Sequence, residues 1–316
     1  MTTKIVYILT SDENDYYWEQ TYLSAYSLRL HNPDSEVVLV TDQFTALTLK
    51  GFRARIMDYI SGHKVVNVPE EFSKKRRSRF LKTSLRRHIA GDYLFIDSDT
   101  VIARPLAEID TFPADCAAVL DHHIPLAELL ARDSSLKYVT EKYGSAPWNG
   151  NGKYFNSGSM LVREAPDTYR LYDEWHAIWI RQMNDGIDTD QQSLRQADYK
   201  CGDIIRELPG EWNCQITKNG LRYLADAYVI HYFTAKCTPL LLGQEDVFKE
   251  LRAQKAISPE TEKMIRKPAT AFPLHCRVCT GDSFELLQTK VTTLFFYHRW
   301  VFDLFERIAK MLVRKQ

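Results

Sequence analysis

Long apolar runs, an excess of one charge and a dense cysteine framework are all missing from this 316-residue chain. No stretch approaches the roughly 18 apolar residues of a membrane span. The opening MTTKIVYILTSDEND turns acidic after an apolar run too short for a signal-peptide core. The expectation is therefore a protein that neither spans a membrane nor is exported, and that works in the cytoplasm. Lysine plus arginine and aspartate plus glutamate stand at 41 each, so the overall positive field of a nucleic-acid binder is absent and no nucleic-acid partner is expected. The six cysteines, at 116, 201, 214, 237, 276 and 279, are scattered rather than framed as in a small secreted domain, and they fit a reducing compartment. Internal repeats and low-complexity segments are absent. No glycine-rich, lysine-bearing triphosphate loop follows the first apolar run.

What is present is core material: 45% of residues are hydrophobic and 12% aromatic, enough for one large domain or two ordinary ones. Lys4 to Leu9 reads as a short buried strand, and Ser11-Asp12-Glu13-Asn14-Asp15 as turn chemistry at its end. From Trp18 to Leu30 the apolar positions recur at spacings of three and four, which predicts a helix stopped by His31-Asn32-Pro33-Asp34. Val37 to Val40 follows as a second strand. Such a βαβ unit implies an α/β fold with a mostly parallel sheet whose ligand sites lie at the carboxyl ends of its strands. Residues 73 to 88 predict a basic helix, with Arg79 and Lys82 turned inward one helical turn apart. Ala117 to Leu120 reads as a strand ending on Asp121-His122-His123, and Tyr154 to Val162 as a strand interrupted by Asn156-Ser157-Gly158. An aromatic amphipathic helix is expected over 167–184, and another opens at Asp188-Thr189-Asp190-Gln191-Gln192 with Thr189 as N-cap.

Chemistry concentrates at the strand ends. In YLFIDSDTVIARP, an apolar run closes on Asp97 and Asp99, and side chains two apart on a strand share a face. Two carboxylates there suit a hard cation such as Mg²⁺ or Mn²⁺, although the same triplet also makes an ordinary solvated turn. His231, in AYVIHYFTAK, also follows a short apolar run. A neutral imidazole as third ligand would favour manganese over magnesium; a lone histidine beside aromatics also serves as a plain core residue.

Taken in order, the segments ILTSDENDYY, FLK ahead of YLFIDSD, YFNSGSM, TDQQSL, EWN and VIHYFTAK resemble glycosyltransferase family 8 over about residues 4 to 237. The resemblance implies a GT-A-type, Rossmann-like sheet flanked by helices. It further implies a retaining, Mn²⁺-dependent transferase that moves a hexose, from UDP-glucose or UDP-galactose, to a glycan or glycolipid acceptor in bacterial surface polysaccharide or lipopolysaccharide synthesis. By the same resemblance Asp97, Asp99 and His231 are the metal ligands, and Lys82 stands where the family commonly places an arginine near the donor sugar and phosphates. Asn156 is a donor-sugar contact, Gly158 allows close backbone approach, Asp190 binds sugar hydroxyls and Gln191 lies beneath the anomeric carbon. Thr10, Asp12 and Tyr17 or its neighbour Tyr16 hold base and ribose, and Lys236 contacts the diphosphate. Thr10 replaces a commonly acidic residue, and the ending from His231 to Lys236 is one residue short and lacks the family's glycine.

Residues 1–237 are therefore expected to form the catalytic domain and 238–316 a helical C-terminal region. In the latter, an amphipathic helix at about 286–314 mixes aromatics with Arg299, Arg307, Lys310 and Arg314, suiting peripheral contact with the anionic inner face of the plasma membrane. Cys276-Arg-Val-Cys279 beside His275 lacks the second pair that a structural zinc would need. Two other readings stay open: sugar-phosphate nucleotidyl transfer, which also uses paired aspartates, and a non-catalytic membrane-docking domain.

Overall fold

A computed structural model describes residues 1–148, 152–216, 218–232, 245–268, 294 and 298–313. The chain opens with β1 (Lys4–Leu9), α1 (Tyr17–His31), β2 (Val37–Asp42), α2 (Gln43–Thr48) and β3 (Gly62–Val66). The basic helix α3 (Lys74–Thr83) leads to β4 (Tyr93–Ile96) and β5 (Thr100–Ile102). Then come β6 (Cys116–Leu120), α4 (Leu126–Arg132), α5 (Ser134–Tyr143), β7 (Phe155–Val162), α6 (Pro166–Asn184) and α7 (Gln191–Lys200). Short strands β8 (Arg206–Glu207), β9 (Cys214–Gln215) and β10 (Val229–His231) precede α8 (Glu245–Gln254), α9 (Pro259–Arg266) and α10 (Arg299–Val313).

The main sheet runs β3-β2-β1-β4-β7-β6-β8, parallel apart from the antiparallel β7. Alternation along β1 sends Ile5, Tyr7 and Leu9 into one apolar layer with Trp18 and Tyr22 of α1, and Val6 and Ile8 into the opposite layer with Leu81 of α3 and Trp175 of α6. The connection through α1 places β2 on one side of β1, and the connection through α3 returns β4 to the other side. The gap between the carboxyl ends of β1 and β4 is thus the topological switch point, where open α/β sheets bind ligands. A small second sheet, β5-β10-β9, sets His231 opposite Thr100, just past the end of β4.

Several local expectations need correction. The basic helix ends at Thr83, where Ser84 Oγ donates back to the Phe80 carbonyl at 2.7 Å, and a short 3-10 turn covers Leu85–Arg87. The strand around Gly158 is continuous rather than interrupted; the irregularity lies in its pairing with β6, between Ala118 and Leu120. The N-cap of α7 is Asp190 rather than Thr189. The Thr189 hydroxyl bonds the Gln192 side chain instead. Past residue 237, Val247, Phe248 and Leu251 of α8 and Ile265 of α9 join the apolar cluster that covers α1. Lys236, Cys276 and Cys279 lie outside the described residues, as do residues 286–293, 295–297 and 314 of the helix expected at 286–314.

Candidate active site

At the switch point lies a cleft of about 580 Å³ lined by the ends of β1 and β4, one face of α3, the start of β7 and the start of α7. Asp97 leaves β4 with its N–H bonded to the Gly158 carbonyl at 2.8 Å, and the Asp99 carbonyl accepts from the Tyr232 N–H at 3.0 Å. These two backbone bonds fix the Asp-Ser-Asp segment between β7 and β10. A ligand atom from each of Asp97, Asp99 and His231 comes within 4.8 Å of the others.

His231 is buried and tightly oriented. Its Nδ1 donates to Asn213 Oδ1 at 3.0 Å, because an amide oxygen can only accept, and this leaves Nε2 facing Asp99 Oδ1 at 3.1 Å. Burial opposes a charged imidazole, but Asp99 and then Asp97 outweigh it, so the pKa lies above the ordinary histidine value. With Nδ1–H tied to Asn213, a neutral imidazole presents its Nε2 lone pair beside the two carboxylates, so the donor set fits a divalent metal.

Asn213 also donates to Asn156 Oδ1 at 2.8 Å, and that oxygen accepts the Gly158 N–H at 2.9 Å. Asn156 Nδ2 donates in turn to Asp121 Oδ1 at 2.8 Å and more weakly to Gln191 Oε1 at 3.4 Å. One polar chain therefore ties His231 to Gln191. Gly158 sits at its centre, where an added Cβ would lie 2.5 Å from His231 Cε1, 2.8 Å from Asn156 Oδ1 and 2.9 Å from Asp97 Oδ2.

The second charge centre is Asp190. Trp175 Nε1 holds its carbonyl at 2.8 Å and Ser157 Oγ donates to its carboxylate at 2.9 Å. Burial alone would raise its pKa; Arg79 and Lys82 reverse this and hold it at about 2. Arg79 Nε lies 2.8 Å from Asp190, and Lys82 Nζ lies 3.0 Å from Asp97 and 3.7 Å from Asp190. Both cations point inward from α3, one turn apart.

Thr10, Tyr17, Lys82, Asp97, Asp99, Asn156, Asp190, Gln191 and His231 all line this cleft, and Gly158 lies directly behind Asp97 and His231. Asp12 does not line it. Its carboxylate is 2.7 Å from Lys74, and that hydrogen bond, working against a smaller cost of burial, holds its pKa below the usual range. Of the two tyrosines, Tyr17 faces the cleft, whereas Tyr16 stacks on Phe248 of α8. Asn213, in the EWN segment, Ser157 and Asp121 join the site without any sequence pattern that marks their roles.

A mostly parallel sheet with an Asp-x-Asp pair and a histidine at its switch point is the layout of the GT-A glycosyltransferases. The chain belongs to glycosyl transferase family 8, whose sequence profile matches residues 8–237. Among solved structures the fold is similar to the bifunctional glycosyltransferase WbbM, at 18% identity and TM-score 0.53, covering 84% of this chain and 52% of that one. It is also similar to the galactosyltransferase LgtC solved with donor and acceptor sugar analogues, at 17% identity and TM-score 0.52, covering 83% of this chain and 100% of that one. The chain thus spans about half of WbbM. Among curated proteins none matches it by sequence. Family membership sets aside the nucleotidyl-transfer reading.

Gly158→Ala is expected to lower stability by about 1–3 kcal/mol, because the His231 ring, the Asn156 amide oxygen and the Asp97 carboxylate crowd the new methyl. A urea unfolding midpoint equal to that of the unaltered protein would show that His231 and Asn156 yield freely.

Proposed function

We propose that this chain is a metal-dependent retaining glycosyltransferase. It moves a hexose from a uridine diphosphate sugar, glucose or galactose, to a glycan or glycolipid acceptor of the bacterial surface such as lipopolysaccharide. The observation that carries this reading is the convergence of Asp97, Asp99 and His231 beside the cationic face of α3, in a cleft whose volume suits a nucleotide sugar. Bound to those three residues, a divalent cation, preferably manganese given the imidazole, would offset the charge of the departing diphosphate.

The protein's own groups divide the remaining work. Lys82 and Arg79 supply positive charge beside the leaving group, joined by Lys236 from the segment after β10. Asp190, kept ionised, accepts hydrogen bonds from sugar hydroxyls, and Asn156 positions the same ring. Thr10 and Tyr17 hold ribose and base, while Asp12 acts indirectly by restraining Lys74. Gln191 lies beneath the anomeric carbon, and its amide is a poor nucleophile. Retention then follows a same-face course: the bond from the anomeric carbon to the phosphate oxygen breaks as the bond to the acceptor oxygen forms on that face. The acceptor's proton passes to the leaving phosphate.

An acceptor carried on lipid would be met at the inner face of the plasma membrane. On α10 the side chains of Trp300, Leu304, Phe305, Ile308 and Met311 are exposed along a basic helix, which supports peripheral docking on anionic lipid. No helix among the described residues is long and apolar enough to cross a membrane.

Release of nucleoside diphosphate from a panel of sugar nucleotides, with Mn²⁺, Mg²⁺ or chelator, tests the catalytic reading. Manganese-dependent turnover of one donor is expected, falling about 100-fold or more in Asp99→Asn. Absence of both turnover and metal-dependent nucleotide binding would instead leave a non-catalytic domain. For the membrane, sedimentation with phosphatidylglycerol vesicles is expected and sedimentation with phosphatidylcholine is not. Trp300→Glu together with Phe305→Glu should abolish it, and equal binding by that variant would rule α10 out.

A further inference from the structure

Beyond the residues matched by the family profile, α8 packs on the loop between β1 and α1. We infer that Arg252 of α8 is a positioning residue for donor binding, holding the loop between β1 and α1 in the path that turns Tyr17 into the cleft. The inference rests on the cleft being a nucleotide site, as proposed above.

The loop from Thr10 to Tyr16 lies at the switch point with no regular structure of its own, so its shape depends on side chains that reach it from elsewhere. Arg53 donates to the Asp12 carbonyl at 3.2 Å and to Ser11 Oγ at 3.0 Å. Lys74 of α3 pairs with Asp12 at 2.7 Å and also with Asp15. Arg252 approaches from the remaining side, donating to the Glu13 carbonyl at 3.1 Å and to the Asp15 carbonyl. The same guanidinium pairs with Glu19, a carboxylate only 1% exposed, through Nη2 at 3.0 Å and through Nε.

Arg252 also selects which tyrosine faces the ligand. Its guanidinium lies 4.5 Å from the Tyr16 ring centroid, Phe248 stacks on that ring at 5.3 Å, and Tyr16 Oη donates to Glu245 at 3.0 Å. Three residues of α8 thereby hold Tyr16 outside the cleft, and its neighbour Tyr17 is left lining it. Arg252 stands on the far side of this loop from the cleft and is absent from the cleft lining, so its effect is confined to the base and ribose end. The metal and diphosphate end, built on β4, β7 and β10, does not depend on it.

That separation gives a test in the full-length protein by calorimetry with Mn²⁺ alone, Mn²⁺ with pyrophosphate, and Mn²⁺ with UDP. Arg252→Ala is expected to raise the Kd for UDP about tenfold or more while leaving pyrophosphate and Mn²⁺ within about twofold. Arg252→Lys, which keeps the charge near Glu19 but loses the fork for two carbonyls, should fall between. Because Arg252→Ala strands the buried Glu19 charge, the pair Arg252→Ala with Glu19→Gln is measured beside it and should show the same selective loss. UDP affinity equal to the unaltered protein in both variants overturns the inference, and so does a parallel loss of all three ligands. Failure of the unaltered protein to bind UDP or any other nucleoside diphosphate with Mn²⁺ overturns the nucleotide reading itself and this inference with it.

Discussion

Three carboxylates, Asp97, Asp99 and Asp190, are gathered around one cleft, and the site depends on how their mutual repulsion is offset. Lys82 lies between two of them, 3.0 Å from Asp97 and 3.7 Å from Asp190, Arg79 takes the far side of Asp190, and His231 faces Asp99. Charges this close, with Asp190 buried and Asp97 and Asp99 partly so, are stable only when paired and hydrogen-bonded. The arrangement therefore leaves the Asp97 and Asp99 side open to one more cation and closes the Asp190 side with two fixed ones. That asymmetry gives the two ends of the cleft different electrostatic character.

Backbone geometry holds this charge pattern in place. Gly158 lets β7 pass directly behind Asp97 and His231, and the pairing of β10 with β5 sets His231 at the level of Asp99. Asn213 fixes the imidazole and Asn156 passes the constraint to Gln191. These polar groups are mutually satisfied, which suits a preorganised site better than a mobile one. At the end of β1 order comes from cations instead, with Arg53, Lys74 and Arg252 each gripping the loop after that strand.

Much of the parallel half of the fold was legible in the chain. The strand Lys4–Leu9 coincides with its apolar run, and α1 extends the periodic stretch by one residue at each end. β3 escaped notice because GHKVV places His63 and Lys64 on an exposed edge, so no apolar pattern marks it. The short helices α2 and α4 carry too few turns for periodicity to speak. At the site, the aspartate pair declares itself by ending an apolar strand. The histidine also ends an apolar strand, but its pairing with Asp99 spans 132 residues and arises only when β10 joins β5. Resemblance supplied that link. Neither pattern nor resemblance marked Arg252, because an arginine on a polar helix face looks solvated until its tertiary partners are known.

The most direct measurement is anomalous diffraction at the manganese edge from crystals of this protein grown with Mn²⁺ and UDP. A single peak enclosed by the Asp97 and Asp99 carboxylates and His231 Nε2, with the diphosphate on its open side, is the expected result. Ordered nucleotide with no peak there, or a peak held by other residues, would contradict the assignment of these three side chains as the metal site.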